Sequence, residues 1–244
     1  MLATEQTSGM QSASREAAPY SDLLSGYRFR VCTDPESWEA SLAVRRQVYN
    51  EGCRYDVAVP DAYDHRSWLL IAEHVETGEA VGTMRLTPRS AGRTEAEEYF
   101  WLPPRLRTPR TIEVNRFAIL PAHRKSEKFM PAVSFGLFKL MINFVMDRIG
   151  ADFVMVCSKE ERIWTYEWLR FQRSGIVASY GKLGNADHEL LTMDIRHRLR
   201  EHRDHRLWDF LFETEYPEID LPEEVPGLGP NADYPHERLL ARSA

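Results

Sequence analysis

Covalent and metal-clipped scaffolding is scarce in this sequence: 244 residues hold three cysteines, Cys32, Cys53 and Cys157. They are far apart and odd in number, with no Cys-x-x-Cys or Cys/His spacing. A disulfide framework and a zinc site are therefore not expected, and no metal is called for. Long apolar runs are missing too. The longest, over residues 135–146, is interrupted by Lys139 and Asn143 and is too short to span a bilayer. The first twenty residues, with Thr4, Glu5, Gln6, Ser8 and Gln11, contain no apolar stretch of the kind a secretory leader needs. Nor is there an excess of positive charge: the net charge is −6, which argues against broad nucleic-acid binding. The expectation is a cytoplasmic, soluble protein with free thiols, no nucleic-acid partner and no stable membrane insertion.

What is present reads as a mixed α/β chain. Residues 1–24 look like a flexible arm. A short alternating strand over residues 27–32 leads to Thr33-Asp34-Pro35-Glu36, which combines a capping residue, proline at the first helical position and an acid in the first turn. Strands over residues 68–74 and 80–86 are joined by Glu76-Thr77-Gly78-Glu79, a hairpin signal. Residues 88–110 are turn-rich and basic around the aromatic group Tyr99-Phe100-Trp101. A strand over residues 111–119 precedes a helix from Pro131 to Ile149, closed by Gly150. The apolar run at residues 152–157 is a central strand, followed by a helix to Arg170 and two last strands. That order implies one parallel strand–helix–strand step, with a ligand at the carboxyl ends of the central strands. The chain then divides into one α/β body over residues 25–196 and a C-terminal extension over 197–244, basic at first and then acidic, proline-rich and extended.

The most informative stretch is Thr111-Ile112-Glu113-Val114-Asn115-Arg116-Phe117-Ala118-Ile119. Two opposite charges sit three residues apart in an otherwise apolar strand. Strand residues alternate faces, so Glu113 and Arg116 point opposite ways unless the strand bulges between them. Burying such charges is costly unless they are paired. With Arg45, Asp61, Asp64 and Arg85 they form a set of polar residues at strand ends and loops. Singly, Asp61 and Asp64 also suit turn formation, and Arg85 a surface ion pair.

The settings of that set, Asp-Ala-Tyr-Asp at 61–64, Gly-Thr-Met-Arg-Leu at 82–86 and Glu-Val-Asn-Arg-Phe-Ala at 113–118, resemble the acyl-homoserine-lactone (autoinducer) synthases and the related N-acyl amino acid synthases. The resemblance implies the GCN5-related (GNAT) acyltransferase fold: a central mixed, twisted sheet flanked by helices, with a V-shaped opening between its two central strands. It implies that Arg45 and Arg85 shape the amine and cofactor-arm side. Asp61 and Asp64 would order an N-terminal lid and contact the acceptor amine. Glu113 would be the base or hold the water that acts as one, and Arg116 would brace the acids. Asn115, counted with the substrate-binding residues, stands where the autoinducer synthases usually have Ser or Thr. The loop before Asp61 is also short and lacks a tryptophan. Both differences favour an amine other than S-adenosylmethionine.

The chemistry agrees. An amine is mostly protonated at neutral pH and needs a base, and attack on a thioester develops negative charge that backbone N–H groups at a bulge can hold. Arg124, Lys125 and Lys128, ahead of the helix at Pro131, would receive a phosphopantetheine phosphate. The glycine loop that wraps coenzyme A in common acetyltransferases is missing there, so an acyl carrier protein is the expected donor and partner, with acyl-CoA as the alternative. Phe135, Phe138, Met155 and Trp164 are candidate linings for an acyl pocket, and each also suits a plain core position. The expected activity is transfer of a fatty acyl group to an amino acid or related metabolite. Its rivals are a lactone synthase using S-adenosylmethionine, an acetyl-CoA-dependent acetyltransferase, and a non-catalytic acyl-ligand or protein-binding module.

Overall fold

The computed structural model of the chain describes residues 20–124, 130–197, 200 and 202–230. A single eight-stranded sheet organises them. Its strands are β1 (Tyr27–Val31), β2 (Trp68–His74), β3 (Ala80–Pro88), β4 (Thr111–Ile119), β5 (Phe153–Lys159), β6 (Gln172–Tyr180), β7 (Ala186–Asp194) and β8 (Ile219–Asp220), in the order β6-β7-β5-β4-β3-β2-β1-β8. The pairs β4–β5 and β1–β8 are parallel and the rest antiparallel.

The helices are α1 (Ser21–Leu24), α2 (Pro35–Arg45), α3 (Ala96–Tyr99), α4 (Ala132–Asn143) and α5 (Glu160–Trp168). Helix α2 begins as its sequence predicts: the Asp34 carboxylate accepts from the Ser37 N–H at 2.8 Å, with Pro35 next to it. Helix α4 is apolar nearly all round, and all but Ala132 of its twelve residues are buried. It continues through a wider turn, Phe144–Arg148, and the positive φ of Gly150 (66°) then lets the chain turn into β5. The parallel β4–α4–β5 step expected from the sequence is present.

The core lies mostly between the sheet and α4 with α5. Helix α2 covers the opposite face beside β2, where Trp38 and Leu42 meet Leu69 and Ile71. A smaller cluster on that opposite face packs Ala96, Phe100, Leu102 and Leu106 against Phe153, Met155, Tyr180 and Leu190. Phe100 is thus buried as part of the aromatic group at 99–101, while Trp101 stays exposed.

Two segments differ from the extended arms their composition suggests. Leu24 of α1 is fully buried in the main core; the rest of the N-terminal arm, residues 1–19, lies outside the described residues. Over residues 202–230 the C-terminal segment also joins the core, through Leu207, Phe210, Leu211, Tyr216 and Leu228. Lys139 and Asn143 of α4 both donate to the Leu211 carbonyl. Strand β8 pairs with β1, Trp68 Nε1 donates to Pro226 O at 2.8 Å, and Gly229 N–H donates to Ser67 O at 3.1 Å. Proline and acid richness hid these anchors because the apolar residues are spaced too widely to show a period.

The tightest packing is at Gly136, where an added Cβ would sit 2.0–2.3 Å from the Phe29 ring. Phe29 is fully buried in β1, so the ring has little room to yield. Gly136→Ala is expected to destabilise the fold by about 1–3 kcal/mol despite its better helix propensity, as read by urea unfolding. A gain in stability would show that β1 and α4 can separate at that point.

Candidate active site

Strand β4 pairs with β5 only over Thr111–Val114 against Phe153–Val156. Beyond that, among the described residues, β4 follows β3 while β5 follows β7. The two central strands part there, forming the V-shaped opening of the fold.

A bulge, one of the two geometries the sequence left open, is at the same place. Arg85 pairs with Asn115 but Thr83 pairs with Ala118, so β4 holds one extra residue, and Arg116 takes a positive φ of 52°. The consequence is a change of phase. Ile112 and Val114 face α4, as do Phe117 and Ile119 after the bulge. Glu113, Asn115 and Arg116 are left together on the opposite face, where Asn115 Nδ2 donates to Glu113 Oε1 at 3.1 Å.

There they meet Arg45 from α2, Asp61 and Asp64 from the loop before β2, Arg85 from β3 and a residue the sequence reading did not single out, Glu95. Arg85 has every nitrogen engaged: Nε donates to Asn115 Oδ1 (2.8 Å), Nη1 to Asp61 and to Asp64 (3.1 Å), and Nη2 to Glu95 (2.6 Å). Arg45 donates to Asp64 through Nη1 and to Asp61 through Nη2. Arg116 donates to Asp61 through Nε (3.2 Å) and Nη2 (3.1 Å), and to Glu95 Oε1 through Nη2 (2.5 Å). Arg45, Asp64, Arg85, Glu95 and Glu113 are fully buried, and Arg116 is 5% exposed.

The two aspartates shape their own loop as well. Asp64 accepts from the Asp61 N–H (2.6 Å), and Asp61 from the Tyr63 N–H (2.9 Å). Turn formation and ion pairing are thus the same role. Both Asp61 oxygens are occupied by guanidinium groups, which leaves it poorly placed to hold a substrate ammonium.

Glu95 had a readable signal. Thr94 and Glu97 form a capping-box spacing, and the Glu97 carboxylate does accept from the Thr94 N–H at 2.9 Å. This starts α3 and turns the N–H groups of Glu95 and Ala96 toward Glu113, which accepts from them at 2.8 and 3.1 Å.

Charge counting isolates Glu113. Three guanidiniums (Arg45, Arg85, Arg116) balance three carboxylates (Asp61, Asp64, Glu95). Burial and the Glu95 charge push Glu113 up to about 7. Burial also works against an ionised Asp61, but Arg85, Arg116 and Arg45 outweigh it and hold that group down at about 2. Across the opening on β5, burial raises the Cys157 thiol well above its usual range, so it stays protonated and inert.

The other expected residues are not all gathered here. Arg124 is exposed and spends its Nε on the Ile119 carbonyl at 2.6 Å; Lys125 and Lys128 lie outside the described residues. The four acyl-pocket candidates do not form one lining. Phe135 and Phe138 are buried on the α4 face, Met155 lies on the opposite face of the sheet, and Trp164 is 44% exposed on α5. Helical and strand periodicity identified them as apolar without telling the two faces of the sheet apart. No group of His, Cys, Asp and Glu among the described residues is placed to hold a metal ion.

Two stability outcomes follow. Glu95→Gln removes a buried counter-charge from Arg85 and Arg116 and is expected to cost about 3–5 kcal/mol in chemical denaturation; a loss below ~1 kcal/mol would mean solvent reaches the cluster. For Glu113, the folded value of about 7 exceeds the ~4.3 of an unfolded glutamate. Between those values the folded state holds a proton the unfolded state has lost. Its stabilising contribution is therefore complete below the unfolded value and lost as pH rises through about 7. Unfolding free energies of the wild type and Glu113→Gln, measured across that window, should show this decline in the wild type only.

No curated protein sequence matches this chain. The family model for the N-acyl amino acid synthase FeeM matches residues 42–194, more than half of the chain. Among solved structures, FeeM from uncultured soil microbes superposes with a TM-score of 0.59 at 15% identity, covering 75% of this chain and 96% of that one. The CoA-dependent acyl-homoserine lactone synthase BjaI, solved with SAM and isopentyl-CoA, gives 0.60 at 19% identity over 89% and 99%. A putative N-acetyltransferase from Lactobacillus plantarum gives 0.52 at 13% identity over 70% and 99%. At these identities the structures establish the GNAT fold, and the family match establishes the rest: the chain belongs to the FeeM N-acyl amino acid synthase family and is an acyltransferase.

Proposed function

We propose that this N-acyltransferase moves a fatty acyl group from the phosphopantetheine thioester of an acyl carrier protein to the amino group of an amino acid or related metabolite. The observation that carries this reading is Glu113. It is a fully buried carboxylate beside the parting of β4 and β5, left without a guanidinium partner and pushed up to about 7.

The steps use this chain's own groups. The acceptor ammonium loses a proton to Glu113, directly or through a water. The neutral amine attacks the thioester carbon, forming the C–N bond. Negative charge gathers on the carbonyl oxygen, near the edge of β4 that the bulge frees from pairing with β5. The C–S bond then breaks; the new amide nitrogen gives up its extra proton, and the departing thiolate takes that proton up.

The donor assignment rests on the sequence from Arg124 to Lys128, which is basic and lacks glycine. An acidic carrier protein is steered by such charge. BjaI is described as CoA-dependent, which makes acyl-CoA the competing donor.

Mass spectrometry of lipid extracts from a heterologous host expressing the protein tests the product. Acyl amino acids are expected; acyl lactones would transfer the protein to the lactone synthases, and no new product would remove the catalytic reading. In vitro, Glu113→Gln should lower turnover by about 10²–10⁴. In the wild type, kcat/KM should rise with pH through about 7, as Glu113 ionises. Unchanged turnover in the variant would strip Glu113 of its role.

A further inference from the structure

The stretch from Trp101 to Arg110 plays no part in the acyl-transfer chemistry, yet it is firmly placed. Leu102 and Leu106 are buried and hold it against Phe153 and Met155. The residues around those two anchors turn outward: Trp101, Pro104, Arg105 and Arg107 are exposed. Trp101, at 68%, is the most exposed large apolar side chain among the described residues. An indole presented to water by a packed segment has lost the burial a core would give it.

Its surroundings are cationic. The Arg107 guanidinium stacks over the Trp101 ring, 4.3 Å from the centroid, and its Nε donates to the Leu102 carbonyl at 2.7 Å. Arg89 Nη1 donates to the Arg107 carbonyl and Arg93 Nη2 to the Glu97 carbonyl, each at 2.6 Å. Arg89 pairs with Glu97 and Arg110 with Asp152, each at 3.3 Å, and Lys182 neutralises Glu98 at 3.2 Å. Arg93, Arg105 and Arg107 have no carboxylate partner among the described residues. Three uncompensated positive charges thus ring one exposed indole, in a chain whose net charge is −6.

We propose that this surface docks reversibly on an anionic phospholipid bilayer, with Trp101 in the headgroup layer and Arg93, Arg105 and Arg107 on lipid phosphates. Indole rings settle at the membrane–water interface, and basic side chains are drawn to anionic leaflets. No helix among the described residues is long and apolar enough to cross a membrane, so contact is confined to the surface. An apolar anchor and a basic cluster together supply the two signals that such binding needs. A nucleic acid fits less well, because successive bases need successive rings. Here Phe100 is buried and Tyr99 is stacked on Tyr180 at 4.1 Å. A carrier protein fits less well too. Arg110 directly precedes Thr111, which pairs with Phe153 at the closed end of the β4–β5 pair. Ile119, where the donor loop begins, is about 30 Å of strand away. The inference stands independently of the acyl-transfer reading.

The test sediments the full-length protein with vesicles of phosphatidylglycerol and phosphatidylcholine, and with phosphatidylcholine alone. Retention on the anionic vesicles is expected, fading as salt is raised, with little on the neutral ones. Arg105→Gln should weaken it roughly fivefold. Trp101→Ala should weaken it while keeping the salt dependence. Both side chains lie outside the core, so unfolding free energies and turnover with a soluble thioester donor should match the wild type; a merely structural defect would move them. Should Trp101→Ala perturb the fold, Arg105→Gln decides alone. No retention, or equal retention on neutral vesicles, overturns the inference. Retention that survives both substitutions overturns its assignment to this surface. Binding of an RNA oligonucleotide or an acidic carrier protein that these substitutions abolish, with vesicles ignored, gives the surface to that partner and overturns the lipid assignment.

Discussion

The architecture around the site depends on one electrostatic constraint: three guanidiniums buried together in the sheet's interior. Each alone would be prohibitive to desolvate, and all three repel one another. They are tolerated because Asp61, Asp64 and Glu95 arrive from separate parts of the chain to interleave with them. Helix α2, the loop before β2, strand β3, the start of α3 and the bulge of β4 must all be in place before the lattice closes. Such a lattice is weak evidence for net stability, yet removing any one partner would leave an uncompensated buried charge and be strongly destabilising.

Glu113 gains its character from being outside this balance. Asp61 is held ionised by arginines, whereas Glu113 is supported only by backbone N–H groups and Asn115. Hydrogen bonds favour its charge, while burial and the adjacent Glu95 oppose it more strongly. One cluster thereby contains an acid held firmly as a charge, Asp61, and another poised to exchange a proton near neutrality.

Much of this was legible in the sequence, for reasons that can be named. The central parallel step followed from two apolar strands around a helix bounded by Pro131 and Gly150. The oddity of Glu113 and Arg116 in one strand left two geometries, opposite faces or a bulge between them, and the bulge is there. Glu95 was passed over because it lies in a stretch dominated by arginines, where its importance comes from long-range pairing with residues 10 and 21 positions away. The acyl-pocket candidates were apolar as expected, but periodicity cannot say which side of a sheet a residue from another element meets. The buried stretch at 202–230 was obscured by its prolines and acids, which mark irregular backbone without revealing whether that backbone is packed.

The attachment of that last stretch reaches further than its own contacts. The Gly229 N–H and the Pro226 carbonyl grip Ser67 and Trp68, only a few residues past Asp64, and a side chain at Gly229 would press on the His65 carbonyl at 2.7 Å. Strand β1, which also stands outside the span shared with the family, is in turn bordered by β8. The aspartate loop is clamped from behind by Pro226 and Gly229, so changes in that segment act on the geometry of Asp61 and Asp64 through Ser67 and Trp68.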